Sequence, residues 1–275
     1  MVAELQKLRF FSAWFCPYAQ RTWITLNHCR IEYDKVEGLV LDHEETSKAK
    51  GYTKDPRLLQ ANPDGLVPTI TDPSKPDCPA VCDSLITVEY VDELAQAKGH
   101  PRVMPEGPVD RAQARMTADW INRNVCSPFY NVLVRKDDTE RLSAWEKVLA
   151  NLHKWSQRIR GPFFFGSQVS LVDISVFPWV YRITDARVVE VFRGWKLDVS
   201  DEKWSKLAAW RTAMLDLPAV QGTLADPDKL RASYQRYADG TAQSKVAEAV
   251  RQGKAAHDEK SVTVEPPAKK GKLAH

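Results

Sequence analysis

Two rhythms of apolar and polar positions run along this chain, and the change between them falls near residue 100. In the first part, short apolar runs alternate with helical patterns. LRFFSAWF (8–15) reads as a strand, and the segment from Pro17 to about Cys29 as a helix. IEYDKVEGLV (31–40) reads as a second strand, because Ile31, Tyr33 and Val36 alternate with charge. Residues 41–62 are polar, with a short helix expected near 55–60. LVPTIT (66–71), interrupted by Pro68, and AVCD (80–83) are apolar runs of strand length. SLITVEYVDELAQAK then places Leu85, Val88, Val91 and Leu94 at helical spacing. This order predicts a mixed sheet with helices on its faces.

KGHPRVMPEGP (98–108) holds three of the chain's 17 prolines, the composition of a linker. Beyond it the pattern is helical over 109–125, 139–160, 170–184 and 201–216. SLVD (170–173) sets an acid three residues after a serine just before an apolar run, a capping-box variant that assigns Asp173 to a helix start. Pro178 is expected to kink that helix. Weaker helical patches cover 226–238 and 242–256, and VEPPAKKGKLAH has too little apolar content to bury and is expected to be disordered. The predicted class is α/β plus all-α. Its parts are an α/β domain over 1–97, a linker over 98–108, a helical domain over 109–240 and a partly disordered extension over 241–275.

With 43% hydrophobic and 27% charged residues in 275, a packed core is expected. No run approaches the roughly 18–20 apolar residues of a membrane span. MVAELQKLRF lacks the order of a signal peptide, so a cytoplasmic location is expected. Residues 240–275 carry seven Lys or Arg against four Asp or Glu, a difference equal to the whole formal charge of +3. The remainder is neutral, which argues against a nucleic-acid-binding face. The five cysteines, Cys16, Cys29, Cys78, Cys82 and Cys126, form no disulfide framework and are expected to be reduced. Cys78 and Cys82 have no accompanying ligand pair, so no metal is expected.

FFSAWFCPYAQR (10–21) carries the chemistry. Proline suits the first helical position, which makes Cys16 the N-cap. Its sulfur would then face the unpaired N–H groups and the positive end of the helix dipole, conditions that lower a thiol pKa. A dithiol site would read Cys-x-x-Cys, whereas the fourth position here is Ala19. A mixed disulfide formed on Cys16 needs an external thiol to release it, and glutathione is the cytosolic candidate.

FCPYAQR, NPDGLVPTI and DSLITVEYVDE, in that order, resemble the cytosolic glutathione transferases, most closely the omega class with a catalytic cysteine. The resemblance spans residues from about 8 to about 217 and implies a thioredoxin-like domain followed by a helical one. It implies glutathione as co-substrate, held around Cys16 by Phe15, Pro17 and Tyr18. Pro68, expected in cis, would leave the Val67 backbone to pair with the tripeptide. Asp83 and Ser84, the latter expected as a helix N-cap, would take the γ-glutamyl group, and Lys54 the glycine carboxylate. Arg21 reads as a structural helix residue. An acceptor site is expected between the domains, with Trp14, Trp120, Phe129, Tyr130 and Trp179 as candidate walls. The implied activity is thiol transfer, or reduction of dehydroascorbate or of glutathionyl conjugates, through a Cys16–glutathione disulfide. A non-catalytic protein binding glutathione or hydrophobic ligands is the alternative. Small electrophilic or disulfide substrates and a homodimer are expected, with neither nucleic acid nor membrane as partner.

Overall fold

Strand β1 (Leu8–Ser12) has neighbours on both sides, and that is why LRFFS is buried at nearly every position. β2 (Tyr33–Glu37) lies parallel to it, with Leu8 opposite Tyr33. On the other side β5 (Thr69–Thr71) runs antiparallel, with Phe10 opposite Ile70, and β6 (Val81–Cys82) closes the order β2-β1-β5-β6. The computed structural model describes residues 7–41 and 51–256. The expected disordered end, and the middle of the polar stretch 41–62, lie outside them.

The single strand expected over 31–40 is two. β2 stops at Glu37, and β3 (Leu39–Leu41) leaves the sheet to pair antiparallel with β4 (Tyr52–Lys54). Gly38 makes the break possible, since a Cβ there would sit 3.0 Å from Leu58 Cδ2 and 3.2 Å from Val67 Cγ1. Helix α2 (Pro56–Ala61) follows, started by the Asp55 side chain, which accepts the Arg57 N–H.

Helices α1 (Pro17–His28) and α3 (Ser84–Ala97) pack together through a 2.7 Å contact of the Thr22 and Thr87 hydroxyls. The opposite side of α1 meets the helical half of the chain, so Arg21 is fully buried despite its charge.

In the helical half, α4 (Pro108–Ile121) does not continue to 125. It opens into a π-helical turn over Asn122–Cys126, and a separate helix α5 (Ser127–Val134) follows. Pro128, which lacks an N–H, sits in the first turn of α5, where that donor is not needed. Next come α6 (Asp138–Ser156), α7 (Leu171–Thr184), α8 (Val188–Arg193), α9 (Ser205–Leu215), α10 (Pro218–Gln221), α11 (Pro227–Ala238) and α12 (Lys245–Arg251). Asp173 does begin α7: its buried carboxylate accepts the Ser170 N–H and hydroxyl at 2.8 and 2.6 Å, the Phe164 N–H at 2.8 Å and the Trp210 indole N–H at 2.8 Å. The helix runs on through Pro178 without a break.

Candidate active site

Cys16 stands where β1 hands over to α1, with extended backbone angles (φ −82°, ψ 117°) and Pro17 as the first helical residue. The N-cap position is as expected, but the sulfur makes no hydrogen bond to the first turn. It lies 4.0 Å from the Val67 carbonyl oxygen instead, at the cis Val67–Pro68 bond just before β5. The turn before it is held from the helical half. Arg182 of α7, fully buried, donates from Nη2 to the Phe15 carbonyl (2.8 Å), from Nη1 to Gln20 Oε1 (2.9 Å) and the Pro178 carbonyl (2.8 Å), and from Nε to Tyr234 Oη (2.9 Å).

A cavity of about 690 Å³ opens beside Cys16. On the thioredoxin-like side it is walled by Phe15, Cys16, Pro17, Tyr18, Lys54 and Val67; Tyr130 of α5 and residues of α11 and α12 form the far wall. These seven are the sequence-expected residues that the fold gathers at one place. Lys54 Nζ donates to the Asp64 carbonyl at 3.0 Å. Pro68 follows Val67 but does not line the cavity.

Several expectations are corrected. The N-cap of α3 is Asp83, not Ser84: the Asp83 carboxylate accepts the Leu85 N–H at 3.0 Å, at a positive φ of 79°. Such an angle is strained for a residue with a side chain. Ser84 is buried inside the first turn, where its hydroxyl accepts from Arg21 Nη1 at 3.1 Å, and neither residue reaches the cavity. Phe129 and Trp179 are wholly buried and form no wall, because the helices carrying them are enclosed on more than one face. Phe129 packs edge-on against Tyr130, and Trp179 against Tyr18 while lying under the Arg21 guanidinium at 4.5 Å. Trp14 packs edge-on against Phe15 and Trp120 lies near Lys154, both outside the cavity. Arg21 is structural, donating to the Ser175 carbonyl (2.7 Å), Asn122 Oδ1 (2.7 Å) and Ser84.

Sequence reasoning missed Tyr52 on the near wall and most of the far wall: Tyr234, Arg236, Tyr237, Ser244 and Lys245. The run YQRY (234–237) inside a helical patch was the available signal. Tyr52 Oη accepts from Arg236 Nη2 at 2.6 Å and lies 3.1 Å from Tyr237 Oη, which donates to Ser244 Oγ at 2.9 Å. Ser244 in turn caps α12, and Lys245 pairs with Asp64 at 3.0 Å. The last described helix is therefore tied across the cavity to the thioredoxin-like side. Burial pushes the Tyr52 and Tyr130 phenols well up, so both are neutral at physiological pH. Burial likewise pushes the Cys29 and Cys126 thiols up to about 12, which leaves them protonated.

Residues 15–94 match the family model of the glutathione S-transferase N-terminal domain, and residues 111–213 that of the C-terminal domain. Glutathione S-transferase omega-1 of Sus scrofa is 26% identical over 234 residues, covering 84% of this chain and 86% of that protein. The crystal structure of glutathione transferase Omega 3C from Trametes versicolor superposes with a TM-score of 0.67 at 28% identity, covering 84% of this chain and 91% of that one. A tau-class glutathione S-transferase from mango superposes with a TM-score of 0.69 at 25% identity, covering 85% of this chain and 100% of that one.

Proposed function

The chain belongs to the glutathione S-transferase family, and from that premise we propose that it is an omega-type thiol transferase working through a disulfide between Cys16 and glutathione. One observation carries the reading: a cysteine on the cavity wall at the start of α1, with Ala19 where a second thiol would stand. Two of the other thiols, Cys29 and Cys126, are sealed in the core.

The donor set suits the co-substrate that this family uses. Glutathione is a tripeptide of net negative charge, and Lys54 and Lys245 on the walls outnumber the carboxylate of Asp64. The Val67 backbone offers peptide pairing, and Lys54 a partner for the glycine carboxylate. The N–H groups and dipole of α1 favour the Cys16 thiolate. Cys16 attacks the glutathionyl sulfur of a mixed disulfide; the new S–S bond forms as the old one breaks, and the acceptor leaves as its thiolate. A second glutathione thiolate then attacks that bond, releasing oxidised glutathione and restoring Cys16. Dehydroascorbate and glutathionyl conjugates are the other acceptors of this proposal, and a cytoplasmic location belongs to it. Among the described residues no helix is long and apolar enough to cross a membrane. A homodimer is also proposed, consistent with Ile86 on α3 and Val109 and Met116 on α4 remaining exposed; sedimentation would give its mass.

The test is turnover of a small glutathione mixed disulfide, coupled to glutathione reductase, for wild type and Cys16→Ser. Turnover that serine abolishes, with weak aryl-halide conjugation in wild type, is expected. Tight glutathione binding without wild-type turnover would replace this reading with a ligand-holding protein.

A further inference from the structure

The far wall of the cavity carries a cation whose hydrogen-bonding capacity is not used up. Arg236 of α11 is 3% exposed, and among the described residues no carboxylate pairs with it. Nη2 donates to Tyr52 Oη at 2.6 Å and Nη1 reaches the Gly51 carbonyl at 3.4 Å, but the buried Nε has no acceptor. The rings of Tyr52, Tyr237 and Phe15 surround the guanidinium carbon at 4.2, 5.3 and 5.5 Å.

The other cations near the interface differ. Lys245 has the Asp64 carboxylate, and Lys54 the Asp64 carbonyl. Arg182 is buried too, yet each of its three nitrogens donates at 2.9 Å or less. Arg236 alone of these combines deep burial, a silent donor and a position on the cavity. A buried cation among neutral partners stabilises an anion brought to it more than an exposed one does, because water does not compete. Aromatic faces add cation–π attraction without neutralising the charge.

Its place relative to the nucleophile matters equally. Tyr52 stacks on Phe15 with centroids 5.4 Å apart and planes 7° from parallel, and Phe15 is the residue before Cys16. The guanidinium thus packs on an aromatic pair, one ring of which belongs to the residue next to the cysteine.

We propose that the cavity selects acceptors joining an aromatic ring to a carboxylate or comparable anion, with the anion held by Arg236 and the ring set beside Phe15, Tyr52 and Tyr237. This specificity rests on the reading of the cavity as the acceptor side of a glutathione-transfer site. Arg236 recognises the acceptor and takes no part in bond exchange.

The test is calorimetric binding of two thioethers to the whole protein: S-(4-carboxybenzyl)glutathione and its neutral isostere S-(4-carbamoylbenzyl)glutathione, with glutathione as reference. Neither benzyl thioether offers Cys16 an S–S bond, and repeating the titration in Cys16→Ser removes any conjugate reduction, so the result is independent of turnover. The carboxylate is expected to bind about 10-fold or more tightly than the carboxamide, the range of a hydrogen bond to a charged group. That ratio should fall to about one in Arg236→Gln and stay above one in Arg236→Lys. Equal binding of the two thioethers to wild type overturns the proposal, whether or not either variant folds. A loss in Arg236→Gln shared equally by both thioethers and by glutathione overturns it as well, and assigns Arg236 to glutathione's own carboxylate. A retained carboxylate preference in a protein without disulfide turnover would uphold this site while removing the function proposed above.

Discussion

Arg182→Met removes four hydrogen bonds, two of them across the junction of the two halves to Phe15 and Gln20, while keeping a side chain of similar length. The acceptors left behind are the Phe15 and Pro178 carbonyls, Gln20 Oε1 and Tyr234 Oη. The two carbonyls belong to the backbone and do not turn away, and Gln20 is itself held through Nε2 by Thr223 at 3.3 Å. The Pro178 carbonyl keeps the helical N–H of its own turn, so two fixed buried acceptors at about 1–3 kcal/mol each set an upper range, and relief of the guanidinium's own desolvation lowers it to roughly 2–4 kcal/mol. At about 2–4 °C per kcal/mol for a chain of this size class, the midpoint of thermal unfolding should drop by roughly 10 °C. Tryptophan fluorescence would read the transition, since Trp179 and Trp210 are wholly buried. Arg182→Lys, which keeps charge but lacks the fork, should recover only a minor part. Turnover should fall more than glutathione affinity, because the carbonyl released is that of Phe15, next to Cys16. A methionine variant melting within about 2 °C of wild type would refute the claim that this arginine holds the Cys16 turn.

Gly65→Ala should cost about 1–2 kcal/mol, since the residue has a φ of 60° and an added Cβ would meet Lys54 Cδ and Nζ at 2.6 Å. Displacement of Lys54 should also raise KM for glutathione more than it lowers kcat. In iodoacetamide labelling of the folded protein, Cys16 should react while Cys29 and Cys126, pushed up to about 12 by burial, stay unmodified until denaturation; peptide mapping reads the order. The Asp55 carboxyl is held down to about 2, first by the Arg57 side chain hydrogen bond. Its folded pKa is the depressed one, so its contribution is complete above the ordinary carboxylate value and is lost as pH falls through about 2. Carboxyl-carbon NMR should give that midpoint in wild type and a higher one in Arg57→Ala, still below the ordinary carboxylate value because the backbone N–H groups of residues 57 and 58 keep their bonds to it.

Local punctuation was legible where the chain itself supplies the partner. Pro17 stands at the first position of its helix, and Ser170 with Asp173 starts α7, because a cap bonds within a few residues of itself. The Cys16 junction and its missing second thiol were readable for the same reason. The break at Gly38 was not, since it comes from Leu58 and Val67 approaching the backbone. Nor was the π-helical turn after α4, where Asn122 turns its side chain to Arg21.

The aromatic walls show the division most clearly. Five candidates were chosen by type and neighbourhood, and of these only Tyr130 borders the cavity, whereas Phe129 beside it is sealed in the core. Adjacent helical residues point about 100° apart, so a small change in how a helix docks decides which one meets the space. The Ser84 hydroxyl meets Arg21, 63 positions away, and Arg236 meets Tyr52 across 184 positions. By itself the sequence determined the position of Cys16 at the start of its helix and the two-part fold, because each depends on residues close along the chain or on the period of apolar positions. Which side chains face Cys16 across the cavity was decided only in three dimensions, by the packing of α11 and α12 against strands almost 200 residues earlier.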